Sequence, residues 1–444
     1  MSTLNGDNLP LENVRICDFT IVWAGQSSTM YLADLGADCI RVENPYIWNP
    51  ATRASAPVMT PELAGRLHPW MGGHPASGRA WNNSPAFIHV FRNKKSITVD
   101  SRRPEGLEIV KNLIRLSDVV AENLATGTLE KLGLDDNEIR AVRPDAVILH
   151  IPAYGRTGAY REGRGYGAHI DSVAGSSMLR GYPDSAPVTN TQIFAGDFFV
   201  GMHGAIAMLA ALRYRNHTGE GQIIELAQAE CSASMFPQAA LDAAWNNRDS
   251  TTIGNRSIEG FVPNGVFLTR KKLNENDRWI AISCRDNDEW ASLVNYMGDP
   301  EWAKKADLDV IEGRIKVQEM IEERLFDFTM TRDRDELFRD LQQAGVTAGP
   351  VLSAADAIDD EHLQQSGVWQ DLPATEDYPA SPFPAPSLQF SRSNVAIRKV
   401  PAAFGVDNNY LYKELLGLDD EVIAKLKSDG HITDVFSKEI LGDS

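Results

Sequence analysis

The first 230 residues alternate short apolar stretches with stretches of helical period, and this order constrains the fold more than any other feature. Asn13–Phe19, with Val14 and Ile16, reads as a strand. Trp23-Ala24-Gly25 then turns into a helix over Ser27–Leu35, stopped by Gly36 where a left-handed residue commonly ends a helix. Asp38–Glu43 returns as a second strand. Pro104 stands where a first-turn proline is tolerated, and Leu107, Ile109, Val110, Leu113 and Ile114 follow at helical spacing before a strand at Asp118–Glu122. Ala146–Ile151 is another strand of consecutive apolar residues. Strands that are apolar throughout must be buried on both faces. The pattern therefore predicts an α/β fold with a parallel sheet, helices on both sides and right-handed crossovers.

At roughly 150 residues per domain, a chain of 444 has room for two to three domains. The expected large domain runs over 1–230 and ends after the turn Thr218-Gly219-Glu220-Gly221-Gln222, a strand at Ile223–Leu226 and a helical stretch from about Ala229. A linker is expected over 231–254. A smaller α/β domain follows over 255–335, where GFVPNGVFLT and RWIAISC read as strands. Residues 336–400 are expected as a second linker, dense in proline from Pro373 to Pro401. The segment 401–444, with an amphipathic helix at Asp419–Lys427, is expected to return to the large domain. Between Glu43 and Asn93 the periodicity vanishes into a stretch rich in Pro, Gly, Trp and Asn; loops this long inside compact domains are often functional.

Composition removes several classes. Lys plus Arg is 43 against 61 Asp plus Glu, a net charge of −18, so the clustered cations that duplex binding needs are lacking and no nucleic-acid partner is expected. The four cysteines, Cys17, Cys39, Cys231 and Cys284, form no CxxC pair and read as reduced, buried thiols. No basic stretch followed by an apolar one opens the sequence, which predicts a cytoplasmic protein. The longest apolar run, Phe198–Leu212, contains His203 and spans only about four turns, so it reads as a buried helix rather than a membrane span.

Familiar cofactor signatures are missing. There is no GxxxxGK[ST] loop, and Gly163-Arg164-Gly165-Tyr166-Gly167 does not stand between a strand and a helix start as a dinucleotide fingerprint must. The nine histidines include no HExxH, no metal site is expected, and no GxSxG elbow occurs. What remains is Ala195-Gly196-Asp197-Phe198-Phe199, a lone acid before the most apolar helix. It reads either as an N-terminal cap or as a chemical group. Asn93-Lys94-Lys95-Ser96 reads either as a solvated turn before a strand at Ile97–Asp100 or as cations for an anionic ligand. Lys131 reads as a helix-surface charge unless it meets such a ligand.

The order of segments is more specific than any one of them. DFT-x-VWAG, YLADLGAD-x-IRVENP, FRNKKSITVD, SDVVAENLATGTLEKLGL, RPDAVILHIPAYGRTGAY, AGD, HTGEGQ, AGVTAGPVLSAADAIDDEHL and LLGLDDEVIAKL, from about Asn13 to Gly430, closely resemble the class III CoA-transferases. This is the family of formyl-CoA:oxalate and crotonobetainyl-CoA:carnitine CoA-transferases, which also includes the α-methylacyl-CoA racemases. The resemblance implies a Rossmann-like large domain made by both ends of the chain, a small domain on long linkers, and a homodimer of interlocked rings. It also implies that Asp197 is the nucleophile, passing through an aspartyl anhydride and an aspartyl-CoA thioester. Acyl-CoA and a free carboxylic acid are then the substrates, with no ATP, metal or tightly bound cofactor. By the same resemblance Val22, Trp23 and Ala24 contact CoA near its thiol, and Val99, Asn123 and Lys131 lie along the adenine and phosphate path.

Three departures from the family pattern bear on the reaction. Where the racemases carry a histidine in Gly-His-Asp, this chain has Gly165-Tyr166-Gly167, with His169 out of register. The glycine-run lid of the formyl-CoA branch is not visible at 254–265. The loop from Pro45 to Pro85 is long and carries Trp48, Trp70 and Trp81, which either enlarge an acyl pocket or anchor the loop on a partner subunit. CoA transfer between acids is the leading expectation. Isomerisation of an acyl-CoA, by racemisation or by intramolecular CoA transfer, and a non-catalytic partner subunit are the alternatives.

Overall fold

The computed structural model describes residues 9–67, 78–186, 194–271 and 277–442. Its central sheet has six parallel strands: β1 (Arg15–Asp18), β2 (Asp38–Glu43), β3 (Lys95–Thr98), β4 (Val119–Glu122), β5 (Val147–His150) and β6 (Ile223–Glu225), in the order β3-β2-β1-β4-β5-β6. The period-two alternation of side chains divides them between two cores. Ile16, Cys39, Val119 and Val147 face one way, onto helix α1 (Ala24–Asp34) and a long helix at Ala195–Thr218. Cys17, Ile40, Val120 and Ile148 face the other, where they meet Ile109 and Leu113, and also Leu411, Tyr412 and Leu426 from the end of the chain. The last segment thus contributes to this domain's core.

The chain divides into two units, the larger holding Met1–Gly175, Gln192–Pro237 and Gly367–Ser444, and the smaller Ser176–Thr191 and Gln238–Ser366. The smaller exceeds the 255–335 read from sequence, because residues on both sides pack with it. It is built on an antiparallel sheet of β7 (Asn264–Leu268), β8 (Trp279–Ser283) and β9 (Thr347–Val351) over a core that includes Ile280, Trp290, Leu325 and Leu341. The proline-dense segment is also no free linker. β10 (Trp369–Leu372) and β11 (Ser381–Pro384) form an antiparallel hairpin, and Gln370 hydrogen bonds both the carbonyl (2.6 Å) and the N–H (2.9 Å) of Ile397. Arg398 then donates to the carbonyls of Ala33 (2.6 Å) and Asp34 (2.9 Å), which satisfies acceptors left over at the end of α1.

The described residues between Glu43 and Asn93 hold more regular structure than their sequence indicates. They include α2 (Pro61–Arg66), a 3-10 turn at Ala80–Asn82 and α3 (Pro85–Phe91), both α-helices beginning on a proline. Arg53 pins this stretch to the sheet. Its guanidinium forms paired bonds to Glu43 (2.6 and 2.7 Å) and lies over the ring of Phe87.

Helices α4 (Pro104–Arg115), α5 (Thr128–Lys131), α6 (Asp136–Val142) and α7 (Gly167–Val173) precede the long helix, α8 (Ala195–Thr218); α9 (Gln228–Ala233) follows it. By length and apolarity α8 is long enough to cross a membrane, and half of its most apolar window is buried inside this domain. One face packs on α1 through Gly201 and Gly204, while Met202 and Ile206 on another face are exposed, so it is buried on one side only.

Candidate active site

The sheet order reverses between β1 and β4, whose following segments leave in opposite directions. This opens a crevice at the carboxyl ends of the strands, the place where open α/β sheets bind ligands. The segment after β1 carries three residues for which the resemblance implies contact with CoA. Val22 has a left-handed backbone (φ 54°), unusual for a β-branched residue, and its N–H donates to Thr52 Oγ1 at 3.2 Å. Trp23 is buried against Phe194, just before α8, edge-on at 4.8 Å, and against Phe198 of α8, stacked at 6.2 Å. Ala24 opens α1. The next residue must be glycine, because a Cβ at Gly25 would lie 2.6 Å from Cγ of Asn123 and 2.7 Å from Cβ of Thr20.

Asn123, the first residue after β4, ties the two strand ends together through the backbone of Ile21. Beside it is a cleft of about 140 Å³ lined by Phe19, Ile21, Val99, Leu124, Thr128 and Leu132, with Trp48 and Phe436 also in its wall. Val99 is thus one of the residues lining this cleft. Lys131 is exposed at the end of α5, flanked in sequence by the lining residues Thr128 and Leu132 but not itself in the lining. Sequence reasoning passed over Arg41, Phe404 and Phe436. Arg41 was legible, standing in the IRVENP segment and lining the cleft while donating to the carbonyl of Asp18 at 3.0 Å. Phe404 and Phe436 arrive from the far end of the chain without any local signal.

Asp197 lies in the first turn of α8. The helix begins at Ala195 after Phe194, whose backbone is left-handed (φ 51°), and no side chain caps it. The capping reading therefore fails: Asp197 is the third helical residue, not the cap. It is only 6% exposed, and among the described residues no hydrogen bond or ion pair reaches its carboxylate. Burial, with a further contribution from Asp171, pushes its carboxyl up to about 7. Phe194 and Phe198, the rings against Trp23, stand on either side of Asp197 in sequence, so the Trp23 segment and this acid belong to one neighbourhood.

Several expectations are corrected here. Lys94 is neither solvated nor available to a ligand anion; it is fully buried, with Nζ 3.3 Å from Asp18 Oδ2 and donating to Thr29 Oγ1 and the Gln26 carbonyl, both at 2.8 Å. Lys95 lies in β3 and pairs with Asp38 at 2.5 Å, so the strand begins two residues before Ile97. Trp48 and Trp81 pack against Phe436 of the chain's own C-terminal segment, at 5.1 and 5.7 Å, a contact within one chain, and Trp48 also lines the cleft. Trp70 lies outside the described residues. His169 is exposed on α7, with its Nδ1 accepting from the Tyr166 N–H at 3.2 Å, and Tyr166 is exposed as well.

Fold and site together define an open α/β protein with a crevice at the ends of its parallel strands and a buried carboxylate in the same domain. Residues 11–408 match CoA-transferase family III. The chain belongs to that family, and it is an enzyme of CoA transfer, in keeping with the sequence expectation. It is 30% identical over 424 residues to the beta subunit of succinyl-CoA--L-malate CoA-transferase of Chloroflexus aurantiacus, covering 95% of this chain and 97% of that one. Formyl-CoA:oxalate CoA-transferase of a Bradyrhizobium species is 26% identical, covering 95% and 96%. Among solved structures, a CAIB/BAIF family protein from Brucella suis superposes with a TM-score of 0.77 at 26% identity, over 92% of this chain and 100% of that one.

Proposed function

We propose that the protein moves CoA from an acyl-CoA donor to a free carboxylic acid, with Asp197 as the nucleophile. The observation that carries this reading is a carboxylate buried without a hydrogen bond among the described residues, beside the Trp23 segment. A poorly solvated carboxylate is a strong nucleophile when ionised, and at a pH near 7 about half of the Asp197 population is ionised.

An Asp197 oxygen attacks the thioester carbon, the C–S bond breaks, and CoA leaves as thiolate with the bonding electrons, giving an aspartyl anhydride. The thiolate then attacks the Asp197 carbonyl of that anhydride, releasing the first acid as its carboxylate and forming an aspartyl-CoA thioester. The acceptor carboxylate runs the same two exchanges in reverse. Each step passes one acyl bond and one negative charge, so no ATP is consumed. Water would hydrolyse both intermediates, and the wall of Trp23, Phe194 and Phe198 supplies an apolar barrier to it.

Val22, Trp23 and Ala24 are assigned to the thiol end of CoA, and Val99 and Asn123 to the path of its nucleotide end. Lys131 acts as a point charge for phosphate. The two relatives reported above are named for succinyl-CoA with L-malate and for formyl-CoA with oxalate, which supports a dicarboxylic acid as donor or acceptor here. One of them is named as a beta subunit; the purified single chain is therefore the sample to test.

Incubation with succinyl-CoA and no acceptor, followed by hydroxylamine and peptide mass analysis, is expected to convert Asp197 to its hydroxamate. A panel of dicarboxylic acids is then expected to yield new acyl-CoA products. Rapid α-deuterium uptake from deuterated water with no adduct would replace this reading by isomerisation.

A further inference from the structure

Helices α7 and α8 meet through two reciprocal glycine–aspartate contacts. A Cβ at Gly167 of α7 would lie 2.5 Å from Oδ2 of Asp197, and a Cβ at Gly196 of α8 would lie 2.8 Å from Oδ1 of Asp171. Gly167 and Asp171 are four residues apart and so share one face of α7, while Gly196 and Asp197 are consecutive in α8. Each helix thus omits a side chain where the other presents a carboxylate. Both acids are buried. A third helix reaches the same point: Ser232 of α9, 1% exposed, has its Oγ 3.5 Å from the same Gly196 Cβ position and without a hydrogen-bond partner among the described residues.

We propose that Asp171 is a positioning residue of the reaction: held behind Gly196, its carboxylate makes the free anion of Asp197 less favourable than the uncharged acylated state and so promotes the first covalent step. The proposal rests on the reading of Asp197 as nucleophile. When Asp197 attacks the thioester carbon, the new C–O bond removes the negative charge from Asp197 and the breaking C–S bond carries it off on sulfur. Repulsion between the two acids, present in the free enzyme, is then relieved. It returns only when the last exchange regenerates the carboxylate.

Among the described residues, the neighbouring elements supply no other charge that raises the Asp197 carboxyl. On α7, His169 is exposed and turned to the Tyr166 N–H; on α9, Glu230 is exposed and Cys231 is an inert buried thiol. On α3, His89 meets the Phe198 ring at 5.3 Å, and burial pushes it down to about 4, so it is neutral over the working range. On α1, Asp34 at the far end is paired with Arg92. Burial and Asp171 are the two influences that raise the Asp197 carboxyl.

The test is Asp171→Asn, which keeps shape and removes charge, with Asp171→Ser as the alternative if the first variant folds poorly. Two titrations are read on the full-length protein. One is the carboxyl C=O infrared band assigned to Asp197 by difference against Asp197→Asn. The other is the acid limb of kcat/KM with succinyl-CoA. Both midpoints are expected to fall together by about one pH unit, kcat on the plateau to drop about three- to tenfold because a weaker base is a poorer nucleophile, and KM to stay within about twofold. Unmoved midpoints, or a raised KM at constant kcat, would overturn the proposal and leave Asp171 a packing residue. An infrared midpoint that moves while the kinetic one stays would overturn the assignment of Asp197 as nucleophile instead, with the coupling of the two acids intact.

Discussion

Asn123 grips the backbone of Ile21 at both of its polar groups: Oδ1 accepts the Ile21 N–H at 2.6 Å, and Nδ2 donates to the Ile21 carbonyl at 2.9 Å. One side chain thereby stands in for a strand partner just beyond the ends of β1 and β4, where the sheet itself can no longer pair. Asn123→Ala leaves both groups of Ile21 unpaired in a part-buried place, at a cost of about 1–3 kcal/mol. It also loosens the segment from Phe19 to Ala24. A lower urea midpoint and a KM for succinyl-CoA raised about tenfold, with a smaller change in kcat, are expected. Asn123→Asp keeps the acceptor and loses the donor, so it should fall between. Unchanged KM in both variants would separate this clamp from acyl-CoA binding.

Asp197→Asn should lose turnover by more than about a thousandfold while gaining stability at alkaline pH. In the folded protein the carboxyl is raised to about 7, so between about pH 4 and 7 the native state holds a proton that the unfolded chain has released. Wild-type stability consequently falls as pH rises through that window, and the full penalty of a buried anion is present above it. Asparagine carries no such penalty. The variant is expected to exceed wild type by up to about 4 kcal/mol at pH 8 and to match it near pH 4, as read from urea unfolding at both values. A variant less stable than wild type at both would mean that the Asp197 carboxylate stabilises the fold as an anion, against the raised titration.

The sheet was legible because its strands are short, apolar and separated by helices, and β2, β4 and β5 lie within a residue or so of where hydrophobic period alone places them. β3 was misplaced because Lys94 and Lys95 are charged, and charge reads as surface. The partners that make burial tolerable, Asp18 and Asp38, lie more than fifty residues away. The site was legible for a different reason. Asp197 stands out as a single acid before an apolar helix, and Val22–Ala24 as a turn between strand and helix. Nothing local announces that Phe436 will pack on Trp48 and Trp81, or that Asp171 will meet Gly196; both are products of tertiary closure. The same holds for the hairpin of β10 and β11, hidden in a proline-rich stretch that reads as linker.

His150, at the end of β5, is held between two acids, with Nδ1 2.5 Å from Glu122 and Nε2 2.7 Å from Asp136, which in turn pairs with Arg156 at 2.8 Å. Burial alone would lower its titration point; Glu122 and then Asp136 outweigh this and raise it. A raised histidine contributes stability that is complete below its unfolded value of about 6.5 and is lost as pH climbs through the higher folded value. Relative to wild type, His150→Gln should therefore be clearly destabilised at pH 6 and much less so at pH 9. Equal destabilisation at both would mean that the ring is neutral in the fold and serves by packing alone.

A homodimer that does not dissociate on dilution is expected, on the strength of the family resemblance to interlocked rings. Light scattering over a hundredfold dilution series, with activity followed in the same samples, is the check. A stable, active monomer would rule out interlocking and with it any contribution of a second copy to catalysis.

The packing of α1 on α8 sets how closely Trp23 and Asp197 are held, and Gly201 is its tightest point. A Cβ there would fall 2.0 Å from Ser27 Oγ and 3.0 Å from Ser27 Cβ, with the Ala24 carbonyl at 3.1 Å. In an open helix, glycine to alanine stabilises by up to about 1 kcal/mol, as Gly65→Ala in α2 should, since nothing lies within 4 Å of its Cβ position. At Gly201 the same change must push the helices apart, and overpacking of this kind costs about 1–3 kcal/mol. Opposite signs for the two substitutions are the expected result. Activity should also fall in Gly201→Ala, because the displaced α8 carries Asp197 away from the Trp23 segment. Adding Ser27→Gly removes the obstructing side chain and should restore part of both losses, giving a non-additive cycle for a contacting pair. Additive effects would show that the two helices do not meet at this point.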